Sequence, residues 1–282
     1  MTRFIYLSDT HWGVDAPGYT MQASQPTMLP QLLDALGEWI GEHGPVDFVL
    51  HGGDMVDSTS AENIERAAEH FQLPVPVYLC LGNHDLTRAD AVDMWLDLAP
   101  QFFIDSPNFT LETPDVLLHV VPNQWGSAPY FWNGVQLPHF LPEQEVFLST
   151  ALKRRPDKVH VLSTHSPFCG VPIDQTGFDG PFHQPPLDFV ERGRGLLHAH
   201  SHLHALLGAH SHINTCIAQG NGHFVTTSSF VEVPYDFKCV EIADGRLSMT
   251  THSLDRSVDF CASYDYEKTF VQGRACDRAF GA

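Results

Sequence analysis

The chain has 282 residues, 43% hydrophobic and 17% charged, an ordinary globular composition that excludes a disordered chain. Thirty-four Asp and Glu oppose fifteen Lys and Arg, a formal net charge of −19 with no basic run, so nucleic acid and anionic membrane surfaces are poor partners. No stretch approaches the ~20 apolar residues of a membrane span. The run Phe4–Leu7 is too short for a signal peptide, and the six scattered cysteines form no Cys-x-x-Cys pair, so a reduced, cytoplasmic protein is expected.

Residues 4–8 predict a strand that runs into Ser8-Asp9-Thr10-His11. Leu29, Leu32, Leu33, Leu36 and Ile40 recur at three and four residues, the stripe of an amphipathic helix. Residues 47–50 predict a second strand, ending in Gly52-Gly53-Asp54 with Asp57 three positions on, and residues 61–71 a helix. Residues 75–81 predict a strand ending in Gly82-Asn83-His84-Asp85, followed by a helix at 89–98. From 105 to 141 the chain is rich in Pro, Asn, Trp and Phe; apart from a strand at 116–121 it reads as loop, with Trp125, Tyr130, Phe131 and Trp132 as aromatic walls. A helix at 144–152 precedes a strand at 159–164 that ends in His165, and a helix at 187–197 precedes an apolar run into Ala209-His210-Ser211-His212. Strands at 216–218, 223–228, 239–242 and 247–252 follow. The alternation predicts an α/β fold. No linker divides it, so residues 1–256 are expected to form one catalytic domain, and 257–282 a tail packing on it or on a second subunit of a homo-oligomer.

Five times, then, a hydrophobic run delivers a carboxylate, imidazole or amide to the carboxyl end of a predicted strand, where open α/β sheets place their ligands. Carboxylates bridge cations, imidazoles suit borderline transition metals, and an amide oxygen accepts a metal without adding charge. Two metals ~3.5–4 Å apart would clamp a phosphoryl group and lower the pKa of a bridging water. An anionic small substrate is compatible with the acidic chain, because bound ions reverse the local field.

Asp9-x-His11, Gly53-Asp54-x-x-Asp57, Gly82-Asn83-His84-Asp85, His165 and His210-x-His212 resemble the five ordered motifs of the calcineurin-like metallophosphoesterases, over roughly residues 4 to 230. The resemblance implies a four-layer α/β/β/α sandwich of two mixed sheets. It also implies one metal on Asp9, His11, Asp54 and His212, and another on Asp54, Asn83, His165 and His210, the ions being Fe, Mn, Zn, Co or Ni. His84 would donate to a phosphoryl oxygen or protonate the leaving alkoxide, oriented by Asp85. The implied activity is hydrolysis of a small phosphodiester of the cyclic-nucleotide or glycerophosphodiester type, the alternative being a phosphomonoesterase. A non-catalytic metal-binding scaffold would be expected to have lost a ligand or His84, and all are present.

The last motif departs from the family's usual Gly-His-x-His, and His200-Ser201-His202 repeats its pattern. The second copy is preferred, because the first falls near the end of a predicted helix. Asp57 is expected either to order a ligand or to cap the following helix. His119, His139, His183, His223 and His252 are expected to be structural, and Arg88 is the nearest candidate for a phosphate clamp.

Overall fold

The computed structural model describes residues 1–15, 18–260 and 263–281. Two six-stranded mixed sheets face one another. The first contains β1 (Thr2–Leu7), β2 (Phe48–His51) and β3 (Val77–Leu79) as parallel neighbours. The second contains β4 (Phe109–Glu112), β5 (Val116–Val120), β6 (Val159–Ser163), β7 (Leu203–Gly208), β8 (Thr215–Gln219) and β9 (Gly222–Thr226) in the order β4-β5-β6-β7-β9-β8. The chain then returns to the first sheet with β10 (Asp236–Ala243), β11 (Arg246–Ser253) and β12 (Ala279–Gly281), giving the order β12-β11-β10-β1-β2-β3.

Period-two alternation divides the second sheet between two cores. Val161, Ala205, Leu207 and Val225 join the large core shared with the first sheet and with helices α1 (Leu29–Glu42), α2 (Ala61–His70) and α3 (Ala91–Leu98). Their neighbours Leu162, Leu206 and Phe224 face the other way, onto Leu148 of α4 (Pro142–Ala151) and, beyond the short α5 (Ile173–Thr176), onto Phe189 and Leu196 of α6 (Leu187–Ala199). The result is a four-layer α/β/β/α sandwich. No helix among the described residues is long and apolar enough to cross a membrane.

The structure corrects the reading of 105–141 as loop around one strand, because Phe109–Glu112 pairs antiparallel with β5. Residues 279–281 likewise pair with β11, after α7 (Ala275–Arg278) has set the Asp277 carboxylate on the backbone N–H of Cys216 at 2.8 Å. Cys80, Cys169, Cys216 and Cys239 are buried free thiols and Cys276 is exposed; Cys261 lies outside the described residues.

Across β4, β5 and β6 runs a directional hydrogen-bond chain. His160 Nε2–H donates to the Arg155 carbonyl at 3.1 Å, its Nδ1 accepts from His119 Nε2–H at 2.9 Å, and His119 Nδ1 accepts from the Thr110 hydroxyl at 2.9 Å. Every link requires neutral rings. Burial, then the neighbouring imidazole of His160, pushes His119 down to about 3. The unfolded chain therefore binds more protons below pH 6.5, so this contribution is complete above 6.5 and is lost as the pH falls. At pH 5 the cost is about 2 kcal/mol. Urea titrations of the parent and His119→Leu from pH 7 to pH 5 should show the parent's advantage shrinking by that amount.

Candidate functional site

Each motif residue lies just beyond a strand end, and both sheets contribute: Asp9 and His11 follow β1, Asp54 follows β2, Asn83 follows β3, His165 follows β6, and His210 and His212 follow β7. The sequence placed each at the carboxyl end of a predicted strand; the structure gathers them at the seam between the two sheets. Backbone bonds zip the loops together: Asp9 N–H reaches the Gly53 carbonyl at 2.9 Å, His11 N–H the Asp54 carbonyl at 3.0 Å, and Ala209 N–H the His165 carbonyl at 2.8 Å.

Five of these residues occupy left-handed backbone: Asp9 (φ 55°), His11 (φ 44°), Asp54 (φ 54°), His210 (φ 63°) and His212 (φ 56°). Such conformations cost about 1–2 kcal/mol per non-glycine residue and collect at functional sites. Here they turn both ends of each x-separated pair into one cavity. Close packing does the rest. A Cβ on Gly82 would lie 2.2 Å from Asp54 Oδ1, and one on Gly53 (φ +111°) would lie 2.4 Å from His165 Nδ1.

Two overlapping groups result. In the first, His212 Nε2 lies 3.4 Å from Asp9 Oδ1 and 3.3 Å from His11 Nε2, while His11 Nε2 is 3.9 Å from Asp54 Oδ2. In the second, His165 Nε2 is 3.1 Å from Asp54 Oδ2, and His210 Nδ1 is 2.9 Å from Asn83 Oδ1. Asp54 faces both. Asp9 Oδ1 and His165 Nε2 are buried without an aligned hydrogen bond. The Nδ1 atoms of His11 and His212 are already engaged, by the Tyr19 hydroxyl at 2.9 Å and the Glu232 carboxylate at 2.6 Å. Their two Nε2 atoms then face each other at 3.3 Å, and these are the atoms left to ligate a shared cation.

The electrostatics fit the same picture. Burial alone would raise Asp9 and Asp54, but the imidazoles of His212 and His165 hold them below the usual carboxylate range. Burial alone would lower His165, but the Asp54 and Asp9 carboxylates push it up to about 9, and Asp9 with Glu232 raises His212 well above its ordinary value. For His210, burial followed by the charge of His165 outweighs the Asp54 and Asp9 carboxylates and pushes it down to about 3.

The role expected of Asp85 passes to Asp57. Asp85 is fully buried, and its carboxylate accepts the N–H groups of Gly82 at 2.8 Å and Val56 at 3.1 Å, tying two motif loops together. His84 instead donates Nδ1–H to the Asp57 carbonyl at 2.7 Å, with the Asp57 carboxylate 3.7 Å away. Asp57 does not cap α2, since Ser60 accepts the Asn63 N–H there. Its carboxylate takes the Tyr19 hydroxyl and lies 3.6 Å from His11 Nδ1.

The groups open into a cavity of about 210 Å³ lined by residues including Tyr19, His84, Trp132, Gln136, His183 and His210. Trp132 packs 4.8 Å from His84, and buried Trp125 packs 4.8 Å from His210. His183, expected to be structural, stands in this lining. Tyr19 and Glu232 went unnoticed in the sequence; a buried Glu in an apolar stretch, Phe230-Val231-Glu232-Val233, was the available signal for the second. His200 ends α6, and His202 Nε2–H donates to the Leu152 carbonyl at 2.7 Å, away from the cleft. Arg88 is exposed and paired with Asp90 at 2.8 Å, outside the cleft lining.

A four-layer α/β/β/α sandwich with acid and imidazole groups at its strand ends is the architecture of metal-dependent phosphoesterases. The chain belongs to the calcineurin-like phosphoesterases, whose family model matches residues 2–214. That family uses a dimetal centre, and the groups Asp9/His11/His212 and Asp54/His165/His210 are clusters that could hold ions. Among solved structures, a dimetal phosphatase from Danio rerio is 16% identical, covers 89% of this chain and 96% of its own, with a TM-score of 0.66. GAP50, the anchor in the inner membrane complex of Plasmodium, is 12% identical with a TM-score of 0.59, covering 89% of this chain and 84% of its own. A putative 5'-nucleotidase from Staphylococcus aureus is 13% identical with a TM-score of 0.56, and the match spans 89% of this chain but 53% of that one. At these identities the likeness is one of fold. No curated protein matches the chain.

Proposed function

We propose that the chain is a dimetal phosphodiesterase, with Asp9, His11, Asp54 and His212 holding one ion and Asp54, Asn83, His165 and His210 the other. The donor set suits Fe, Mn, Zn, Co or Ni. When bound, the pair supplies an activated water and neutralises charge on the phosphoryl group. The protein's own residues do the rest. Glu232 and Tyr19 hold the rings of His212 and His11 with Nε2 unprotonated. The Asp57 carbonyl fixes the His84 ring, whose Nε2 passes a proton to the leaving oxygen. Buried free thiols at Cys80, Cys169, Cys216 and Cys239 suit a reducing compartment, and the cytoplasm is the proposed location.

The preference for a diester rests on one observation: no Lys or Arg stands among the residues lining the cavity. A dianionic monoester would find no Lys or Arg there to match its second charge, whereas a monoanionic diester needs none. The test is hydrolysis of bis(p-nitrophenyl) phosphate against p-nitrophenyl phosphate by protein stripped of metal and reloaded with manganese. Faster diester turnover is the expected result; faster monoester turnover would make the protein a phosphatase.

Metal loading should also release protons. Without ions, His165 and His212 are held as cations by carboxylates, and this pairing stabilises the fold below pH 6.5, the contribution of His165 fading as the pH rises through about 9. Ligation needs both Nε2 lone pairs, so loading at pH 7 should expel about two protons and weaken as the pH falls. Calorimetry in buffers of different ionisation enthalpy measures the number, and a value near zero would contradict the assignment.

A further inference from the structure

The cleft continues past the acid–imidazole groups. Beyond His210 it opens into a recess of about 230 Å³, whose walls include Trp125, Pro138, Ser166, Pro167, Gln184 and Pro185. Gln136, His183 and His210 line both spaces, so the recess adjoins the catalytic cavity, while His84 lines the cavity alone. No Lys, Arg, Asp or Glu stands among the recess's lining residues.

Trp125 supplies the second observation. The residue is 2% exposed, its ring lies against His210, and its indole Nε1–H has no hydrogen-bond partner. That Nε1 atom is itself closed off, so Trp125 backs the recess beside His210 as part of an apolar wall. The seryl hydroxyl of Ser211, in the adjoining cavity, is also buried and unpartnered.

We infer that the recess is the subsite for the retained arm of a phosphodiester, and that this arm is uncharged and carries a ring or comparable apolar body. This rests on the phosphodiesterase reading above. Water adds to phosphorus, the P–O bond to the other arm breaks, and that alkoxide takes a proton on the His84 side of the cleft. The retained arm stays esterified, so one diester and one water give one monoester and one alcohol. A proline-walled recess without cations selects against di- and triphosphate arms, whose added negative charge would lie there unpaired.

The test compares thymidine 5'-(p-nitrophenyl phosphate) with methyl p-nitrophenyl phosphate, which share the leaving group and differ only in the retained arm. Manganese-loaded parent protein should show a kcat/KM ratio favouring the thymidine ester by tenfold or more. Gln184→Trp, on the exposed rim, should narrow the recess and lower the same ratio. A parent ratio near one, or a ratio unmoved in a folded Gln184→Trp, would overturn the subsite with the phosphodiesterase reading intact. Failure to hydrolyse either ester would overturn both.

Discussion

Asp54→Asn should lower turnover by about 10³-fold or more and leave a folded protein that no longer retains its full metal complement. Asp54 faces both groups, with Oδ2 at 3.1 Å from His165 Nε2 and 3.9 Å from His11 Nε2. Its Oδ1 accepts the His84 backbone N–H at 2.7 Å, so the same carboxylate also sets the loop that carries His84. Asparagine matches the shape but carries no charge, so it would hold a pair of cations less tightly. Lewis-acid stabilisation of the reacting phosphoryl group is worth several kcal/mol, and ~4 kcal/mol corresponds to the predicted loss. The fold should survive, because the substitution removes a buried charge whose partner, His165, reverts to a neutral ring. Metal analysis after gel filtration, alongside kcat with bis(p-nitrophenyl) phosphate, decides the matter. Two tightly held ions in Asp54→Asn would show that Asp54 is not needed to hold them.

The site was legible in the sequence because its parts sit where short-range rules act. A hydrophobic run needs few residues to announce a strand, and Asp9, Asp54, Asn83, His165 and His210 each fall two to four positions after a strand's end. What escaped depends on contacts that close across the chain. Glu232 meets Gln22 and Met21 across 210 and 211 residues, and no local pattern marks that meeting. Tyr19 stands in a loop without periodicity, and His183 reaches the cleft from a left-handed position (φ 49°) after Gly180-Pro181-Phe182. The strand Phe109–Glu112 is set by pairing with β5, and Ala279–Gly281 by pairing with β11, so neither needs a strong pattern of its own. The exchange of roles between Asp85 and Asp57 has a local cause. His84 and Asp85 begin a turn of 3-10 helix, where successive side chains diverge, so the carboxylate next in sequence to His84 points into the core.

That exchange leads to the second large effect. His84→Ala should lower kcat by about 10²–10⁴-fold for a diester with an alkyl leaving group while both ions stay bound. The ring is 15% exposed in the cleft, wedged between His11 at 4.8 Å and Trp132 at 4.8 Å, with Nδ1 tied to a main-chain carbonyl. This leaves Nε2 as its working atom. An alkoxide is expelled slowly unless protonated, whereas p-nitrophenolate leaves readily without a proton. The loss in His84→Ala should therefore shrink sharply with bis(p-nitrophenyl) phosphate, and a plot of log kcat against leaving-group pKa should steepen. Asp85→Asn offers the contrast. It disturbs the anchor of the Gly82 and Val56 N–H groups, so it should lower stability by about 1–3 kcal/mol without changing that slope. If Asp85→Asn steepened the plot as much as His84→Ala, the orienting role would return to Asp85. If His84→Ala lost the same factor with every leaving group, His84 would be stabilising charge on the phosphoryl oxygens in place of protonating the leaving group.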